Sequence, residues 1–193
     1  KKEETFEYYK ELEKNEKIKV LMYPEKGFNY SKIINYGVKN CDGEFVMQLN
    51  NDTKLLTKDW LEKFIGYAQR PEIGAVGARL YFGDKSIQHA GIAYGICDLA
   101  ANLFPGLEWG NRGYYGKDAL IQNISAVTGA CLFCRRELYE EVGYMEEEKI
   151  TYSGNNRYLF DLLKSNEDIL YAFTLAKLTS SGDIIMWCDS SVL

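Results

Sequence analysis

Glu44-Phe45-Val46-Met47-Gln48-Leu49-Asn50-Asn51-Asp52-Thr53 is the stretch on which the fold turns. Its first six residues are rich in large apolar side chains, which suits a strand covered on both faces. The run then stops in a polar turn that carries one carboxylate. In open α/β sheets ligands bind beyond the carboxyl ends of the strands. A carboxylate placed there can hold a divalent metal, and the metal can hold a diphosphate. Magnesium and manganese favour few protein carboxylates together with phosphate oxygens. A departing nucleoside diphosphate needs such a clamp, because charge develops on it in the transition state. Asn-Asn-Asp is equally ordinary turn and helix-capping chemistry. From this stretch alone both readings stand open.

Outward from that turn, helices and strands alternate. Downstream, the pattern predicts a helix over 58–69 with Thr57 as N-cap. A strand follows over 73–82, with Gly74 and Gly77 inside it. Upstream, 29–38 reads as a helix closed by the turn Asn40-Cys41-Asp42-Gly43. Before it come the turn Pro24 to Gly27, a strand over 18–23, and an amphipathic helix over 3–14 bearing Phe6, Tyr9 and Leu12 on one side. This alternation predicts an α/β fold with a largely parallel sheet. Residues 83–118 are glycine-rich and aromatic, and read as loops and short strands over one end of the sheet. A strand is expected over 120–127 and a buried one over 130–134. A helix over 135–142 is closed by Gly143. From about Lys149 the signals weaken. Tyr158 to Lys164 looks helical, Ile169 to Phe173 looks strand-like, and the last fifteen residues fit no pattern.

The length of 193 residues suits a single domain. The net charge of -5 argues against a general nucleic-acid binder, which needs a basic face. It leaves room for a small phosphate-bearing ligand, since one metal ion offsets charge locally. No apolar run approaches the roughly 20 residues of a membrane span. The charged start does not read as a secretory signal. Five scattered cysteines read as reduced thiols, so a cytoplasmic location is expected, with the inner face of a membrane as the alternative.

Several segments, in order and at sensible spacing, resemble family 2 glycosyltransferases of the GT-A fold. Phe28-Asn29-Tyr30-Ser31-Lys32-Ile33-Ile34-Asn35-Tyr36-Gly37 is similar to a helix opening that commonly reads F-N-Y-S-x-x-N-N-x-G, with Ile34 at the first of the paired asparagines. Leu49-Asn50-Asn51-Asp52-Thr53 resembles the family's variant of the Asp-x-Asp metal motif. Asp59-Trp60-Leu61, Gly74 to Leu80 and Ile87-Gln88-His89-Ala90-Gly91 look like the segments that follow. Val127-Thr128-Gly129-Ala130-Cys131-Leu132 through Arg135-Arg136-Glu137 is similar to the acceptor side of the cleft. The likeness covers residues 1–148, with 149–193 divergent. It implies a GT-A-like, mostly parallel sheet with helices on both faces. The activity it implies is inverting transfer of a sugar from a nucleoside-diphosphate donor to a glycan or lipid-linked saccharide hydroxyl, as in cell-surface polysaccharide assembly. By the same resemblance Asp52 holds Mg2+ or Mn2+, Asn29, Asn35, Asn50 and Asn51 lie around the donor, and Thr128 and Gly129 shape the acceptor side.

Two departures from the pattern keep other readings open. The family's fold opens with a βαβ unit that would precede Lys1, so that unit is expected to be missing. Inverting transfer also needs a carboxylate base. The family's pair for this role falls at Gly154-Asn155, with a second acidic position at Arg157, and an asparagine amide is no base. Asp161 could serve only in another register. The family's later metal-associated histidine falls near Thr179, while the single histidine, His89, reads as structural. The loss of pattern beyond about residue 150 is what a frameshifted or diverged coding region would give. The alternatives are therefore a catalytically inactive remnant, or a carbohydrate-binding or interaction module using the aromatic loop 106–116 with Trp109, Tyr114 and Tyr115. Cys131-Leu132-Phe133-Cys134 lacks the further ligands of a zinc site and reads as structural. Glu140-Glu141 and Glu146-Glu147-Glu148 read as solvated faces and turn residues.

Overall fold

The computed structural model describes residues 2–96, 100–147, 177–178 and 184–185, with residue 2 and the last four described through their backbone alone. Two strands form its centre, β1 (Phe45–Leu49) and β7 (Cys131–Arg135). They pair antiparallel, from Phe45 opposite Arg135 to Leu49 opposite Cys131. β2 (Val76–Gly77) lies on the other side of β7, and β8 (Lys177–Leu178) followed by β9 (Ile184–Ile185) lies beyond β1. Every paired strand in this sheet is antiparallel to its neighbour. The expected mostly parallel sheet is therefore corrected among the described residues. β1 and β2 do run the same way, but β7 inserts between them and takes the hydrogen bonds of both.

Helices cover both faces, as expected, and the period of two along the strands explains how. Val46, Leu132 and Cys134 point to one face. There they meet Ile34 and Val38 of α2 (Tyr30–Lys39), Tyr139 of α4 (Arg136–Glu141), and Met145. Met47, Cys131 and Phe133 point to the other face and meet Phe64 and Ala68 of α3 (Trp60–Ala68). On that side Phe133 is sandwiched between Phe45 and Phe64, with ring centroids at 5.3 and 5.5 Å. Such aromatic pairs add about 0.5–1.5 kcal/mol each beyond the area they bury.

Several ends are fixed by local chemistry. The Asn29 side chain accepts the Lys32 N–H and caps α2. α3 starts later than expected. Asp59 is its N-cap but pairs with Lys63 at 2.9 Å instead of capping with its side chain, so Thr57 is not the cap. α4 closes as a Schellman turn: the Gly143 N–H donates to the Glu140 carbonyl, and the Tyr144 N–H to that of Tyr139. Gly143 sits at φ +81, where a Cβ is strained, and the Tyr139 and Tyr144 rings meet edge to face at 5.4 Å.

The other expected strands come out differently. α1 (Lys2–Leu12) forms, but 18–23 forms no strand. The single strand expected over 73–82 is two short ones, because the chain leaves the main sheet after Gly77. A Cβ there would lie 2.5 Å from Val127. β3 (Leu80–Tyr81) then pairs with β4 (Ile87–His89), and β5 (Ile92–Tyr94) with β6 (Ala100–Asn102). Residues 120–127 contribute one bridge, Ala126 to Ile92, rather than a strand. The loop ahead of them winds into a short 3-10 segment, Tyr114–Ala119.

Candidate functional site

The register of β1 against β7 builds the candidate site. Leu49 faces Cys131, so the chain leaving β1 and the chain arriving at β7 lie side by side. The Asn50 N–H donates to the Ala130 carbonyl at 3.0 Å and extends that pairing by one step. The turn beyond it is held by Thr53, whose N–H (3.2 Å) and hydroxyl (2.6 Å) both donate to the Asn50 carbonyl. Asn50, Asn51 and Asp52 are exposed at its tip. No hydrogen bond or ion pair engages the Asp52 carboxylate among the described residues. The turn from sequence and the Thr128-Gly129 segment are thus brought together at one end of the sheet.

Thr128 is positioned by a residue read as structural. His89 is buried in β4, with its Nδ1 2.7 Å from Asn102 Oδ1. Its Nε2 accepts the Thr128 N–H at 3.2 Å. A backbone N–H can only donate, so Nε2 carries no proton, and Nδ1–H donates to Asn102. Burial pushes the His89 pKa down, and the Asn102 hydrogen bond offsets only part of that. The Thr128 hydroxyl accepts the Ala130 N–H in turn. His89 therefore holds the segment as a neutral ring.

Asn29 and Asn35, on and before α2, are engaged by the chain itself. Asn29 Nδ2 donates to the Glu147 carbonyl at 3.0 Å, while its Oδ1 caps α2. Asn35 is buried, and its amide is fully occupied. Nδ2 donates to the Met145 carbonyl and to Glu147 Oε1, both at 2.8 Å. Oδ1 accepts from the Tyr139 hydroxyl and the Met145 N–H, both at 3.0 Å. These two side chains clamp the loop after Gly143 to α2 and leave no free group on Asn35 for a ligand. Glu147 is accordingly a partner in that clamp rather than a solvated turn residue. Between the two groups stands Gln48, whose Nε2 donates to the Tyr30 hydroxyl and whose buried Oε1 has no partner among the described residues. Its position in an apolar strand, two residues before the turn, is the only signal the sequence offers for it.

The Cys131/Cys134 spacing does not build a centre. Three residues along a strand put the two thiols in the clusters on opposite faces of the sheet. Burial pushes their pKa values up to about 11 and about 12, which keeps them protonated. Among the described residues no three His, Cys, Asp or Glu side chains gather to hold a metal. Among the described residues a site at Asp52 would thus have at most two such ligands. That fits a magnesium or manganese ion whose other ligands are phosphate oxygens and water, and it does not fit a protein cage. The positions 154–161 and 179, to which the resemblance assigns a base and a metal-associated histidine, lie outside the described residues.

The model of the glycosyl transferase family 2 matches residues 1–143, and so takes in the Asn50–Asp52 turn and the Thr128–Gly129 segment. The chain belongs to that family. Among curated relatives, this family 2 glycosyltransferase is 37% identical over 151 residues to an uncharacterized protein, y4gI, of Sinorhizobium fredii, covering 77% of this chain and 16% of that one. It is 38% identical over 121 residues to the O-antigen biosynthesis protein RfbC of Myxococcus xanthus, covering 62% of this chain and 10% of that one. The chain thus spans a small part of the length of the relatives it matches. No solved structure matches it. No helix among the described residues of the family 2 chain is long and apolar enough to cross a membrane.

Proposed function

We propose that this chain carries the sugar-transfer site of a polysaccharide-assembly enzyme. The donor is a nucleoside-diphosphate sugar, the acceptor a hydroxyl of a glycan or lipid-linked saccharide, and the transfer inverting. The observation that carries the reading is the junction of the Asn50–Asp52 turn with Thr128–Ala130 at the carboxyl end of β1, in a member of this family. The similarity to RfbC, an O-antigen biosynthesis protein, supports a polysaccharide acceptor.

Asp52 would hold Mg2+ or Mn2+, which supplies positive charge against the diphosphate as it departs. Asn50 and Asn51 present exposed amides beside it, suited to the donor's sugar and phosphate oxygens. Thr128 and Gly129 form the opposing wall, where the incoming hydroxyl would lie. In the transfer the acceptor oxygen bonds to the anomeric carbon, the bond to the diphosphate breaks, and the acceptor proton passes to a base. One sequence feature favours a second reading, an inactive remnant: the family's base position falls on Asn155, and an amide cannot take that proton.

Calorimetric titration with UDP and dTDP, with and without manganese, tests the donor site. Metal-dependent binding to the wild type is expected, with its metal dependence lost in Asp52→Ala. Exposed and unpaired, that substitution should shift stability by no more than about 0.5 kcal/mol. Failure of a folded chain to bind either nucleotide would sink the donor reading. Binding without turnover in a sugar-transfer assay would select the remnant.

A further inference from the structure

A second cleft lies in the segment between β2 and β7, outside the turn that carries Asp52. It encloses about 530 Å³, and its walls include Arg79, Tyr81, Trp109, Asn111, Tyr115 and Asp118. Arg79 donates to Asp118 Oδ2 at 3.1 Å and to the Asp118 carbonyl at 2.8 Å, and its guanidinium lies 5.3 Å over the Tyr81 ring. The Asp118 side chain is only 4% exposed. Its other oxygen, Oδ1, is buried and has no hydrogen-bond partner among the described residues. An orphaned carboxylate oxygen is costly, and native structures rarely leave one without a reason. Beside it the Tyr81 and Trp109 rings sit 4.5 Å apart, and Trp109 remains 56% exposed.

These features specify a ligand. Oδ1 calls for a donor, and an O–H supplies one. The indole face calls for a flat apolar surface. The ionisable lining is balanced, Arg79 and Arg112 against Glu108 and Asp118, so a net charge on the ligand gains nothing. A pyranose ring has hydroxyls at its edge, C–H bonds on its face and no charge. The sheet register also gives the cleft its place. Gly77 faces Leu132 as Leu49 faces Cys131, so Arg79, just past Gly77, is at the same end of the sheet as Asn50–Asp52.

We propose that the Arg79–Asp118–Trp109 cleft is a subsite for one ring of a neutral saccharide, the acceptor glycan. The assignment to the acceptor rests on the transferase reading above, whereas the binding of a sugar ring does not. Asp118 Oδ1 accepts a ring hydroxyl, and Trp109 stacks on the ring face.

Saturation-transfer NMR tests it with the methyl glycosides of mannose, glucose, galactose and rhamnose, in the absence of nucleotide and metal. Saturation of ring C–H protons is expected for at least one of them. Trp109→Ala, at an exposed position, should weaken that binding about tenfold. Trp109→Phe should restore part of it, and Asp52→Ala should leave it unchanged. The methyl glycoside of glucuronic acid should bind less well than its neutral counterpart. The proposal is overturned if no neutral glycoside binds the folded chain, if Trp109→Ala binds as the wild type does, or if the acid binds best. Because the Asp52→Ala chain is included, loss of donor binding and loss of glycoside binding are read separately.

Discussion

Asn35 shows how one buried amide can tie three parts of a chain together. Its four hydrogen bonds join α2 to α4 and to the loop that follows Gly143. Asn35→Ala would leave the Tyr139 hydroxyl and the Met145 N–H without that partner, and a loss of about 3 kcal/mol is expected in urea denaturation. Affinity of the folded fraction for nucleotide should hardly move. Lost affinity at unchanged stability would instead return Asn35 to the donor role that the resemblance implies. His89 carries a sign that pH can read. Its folded pKa lies below the ordinary value of 6.5, so the unfolded chain binds the proton more readily. The stability it contributes is complete above about pH 6.5 and is lost as pH falls through the folded value. Thermal melts at about pH 7.5 and pH 5.5 should therefore diverge less in His89→Gln than in the wild type. Equal divergence would place the acid sensitivity on other groups.

At the scale of elements, one guanidinium adds a polar clip to the apolar join between β7 and α3. Arg135 donates from Nη1 to the carbonyls of Ala68, Arg70 (2.8 Å) and Ile73 (3.2 Å), and from Nε to Glu137 at 3.0 Å. The Arg135 guanidinium thus holds the Ala68 carbonyl at the end of α3 and the Arg70 and Ile73 carbonyls of the segment that follows it. Arg135→Met keeps most of the apolar stem and removes the donors. A loss of about 2 kcal/mol is expected, with Arg135→Lys recovering only part, because an ammonium lacks the fork. Full recovery by lysine would show that charge alone is enough. None of this was legible in the sequence, since Arg135 and its carbonyl partners lie more than sixty residues apart. What was legible was local. The apolar runs of β1 and β7 and the Gly143 stop carry their reasons within a few residues. The strands expected over 18–23 and 120–127 did not form as read, because a strand needs a partner and pairing is not a local property. The sense of the sheet was hidden for the same reason: nothing within β1 or β2 says that β7 will insert between them. At the site, the Asn50–Asp52 turn was visible as a motif. The His89–Asn102 support behind Thr128 was not, because a buried ring reveals its partners only once the chain is folded.

For the molecule as a whole, β7 is the common wall of two cores, and its thiols report on each. Cys131 belongs to the cluster under α3, and Cys134 to the cluster under α2 and α4. Both are buried and protonated, so an alkylating reagent reaches them only when the structure opens. Cys41 is half-buried, and should label before either of them. If the two faces are one cooperative unit, Cys131 and Cys134 label at a common rate, and that rate follows global stability as urea is added. The shared strand argues for this outcome: α3 cannot leave without uncovering Phe133, and Phe133 is flanked in β7 by Leu132 and Cys134 of the other face. Mass-spectrometric labelling with iodoacetamide, read site by site, decides it. Faster labelling of Cys131 alone would mean that α3 opens by itself. The Arg135 clip would then be too weak to couple the two cores, and Arg135→Met should leave the Cys134 rate untouched while raising that of Cys131.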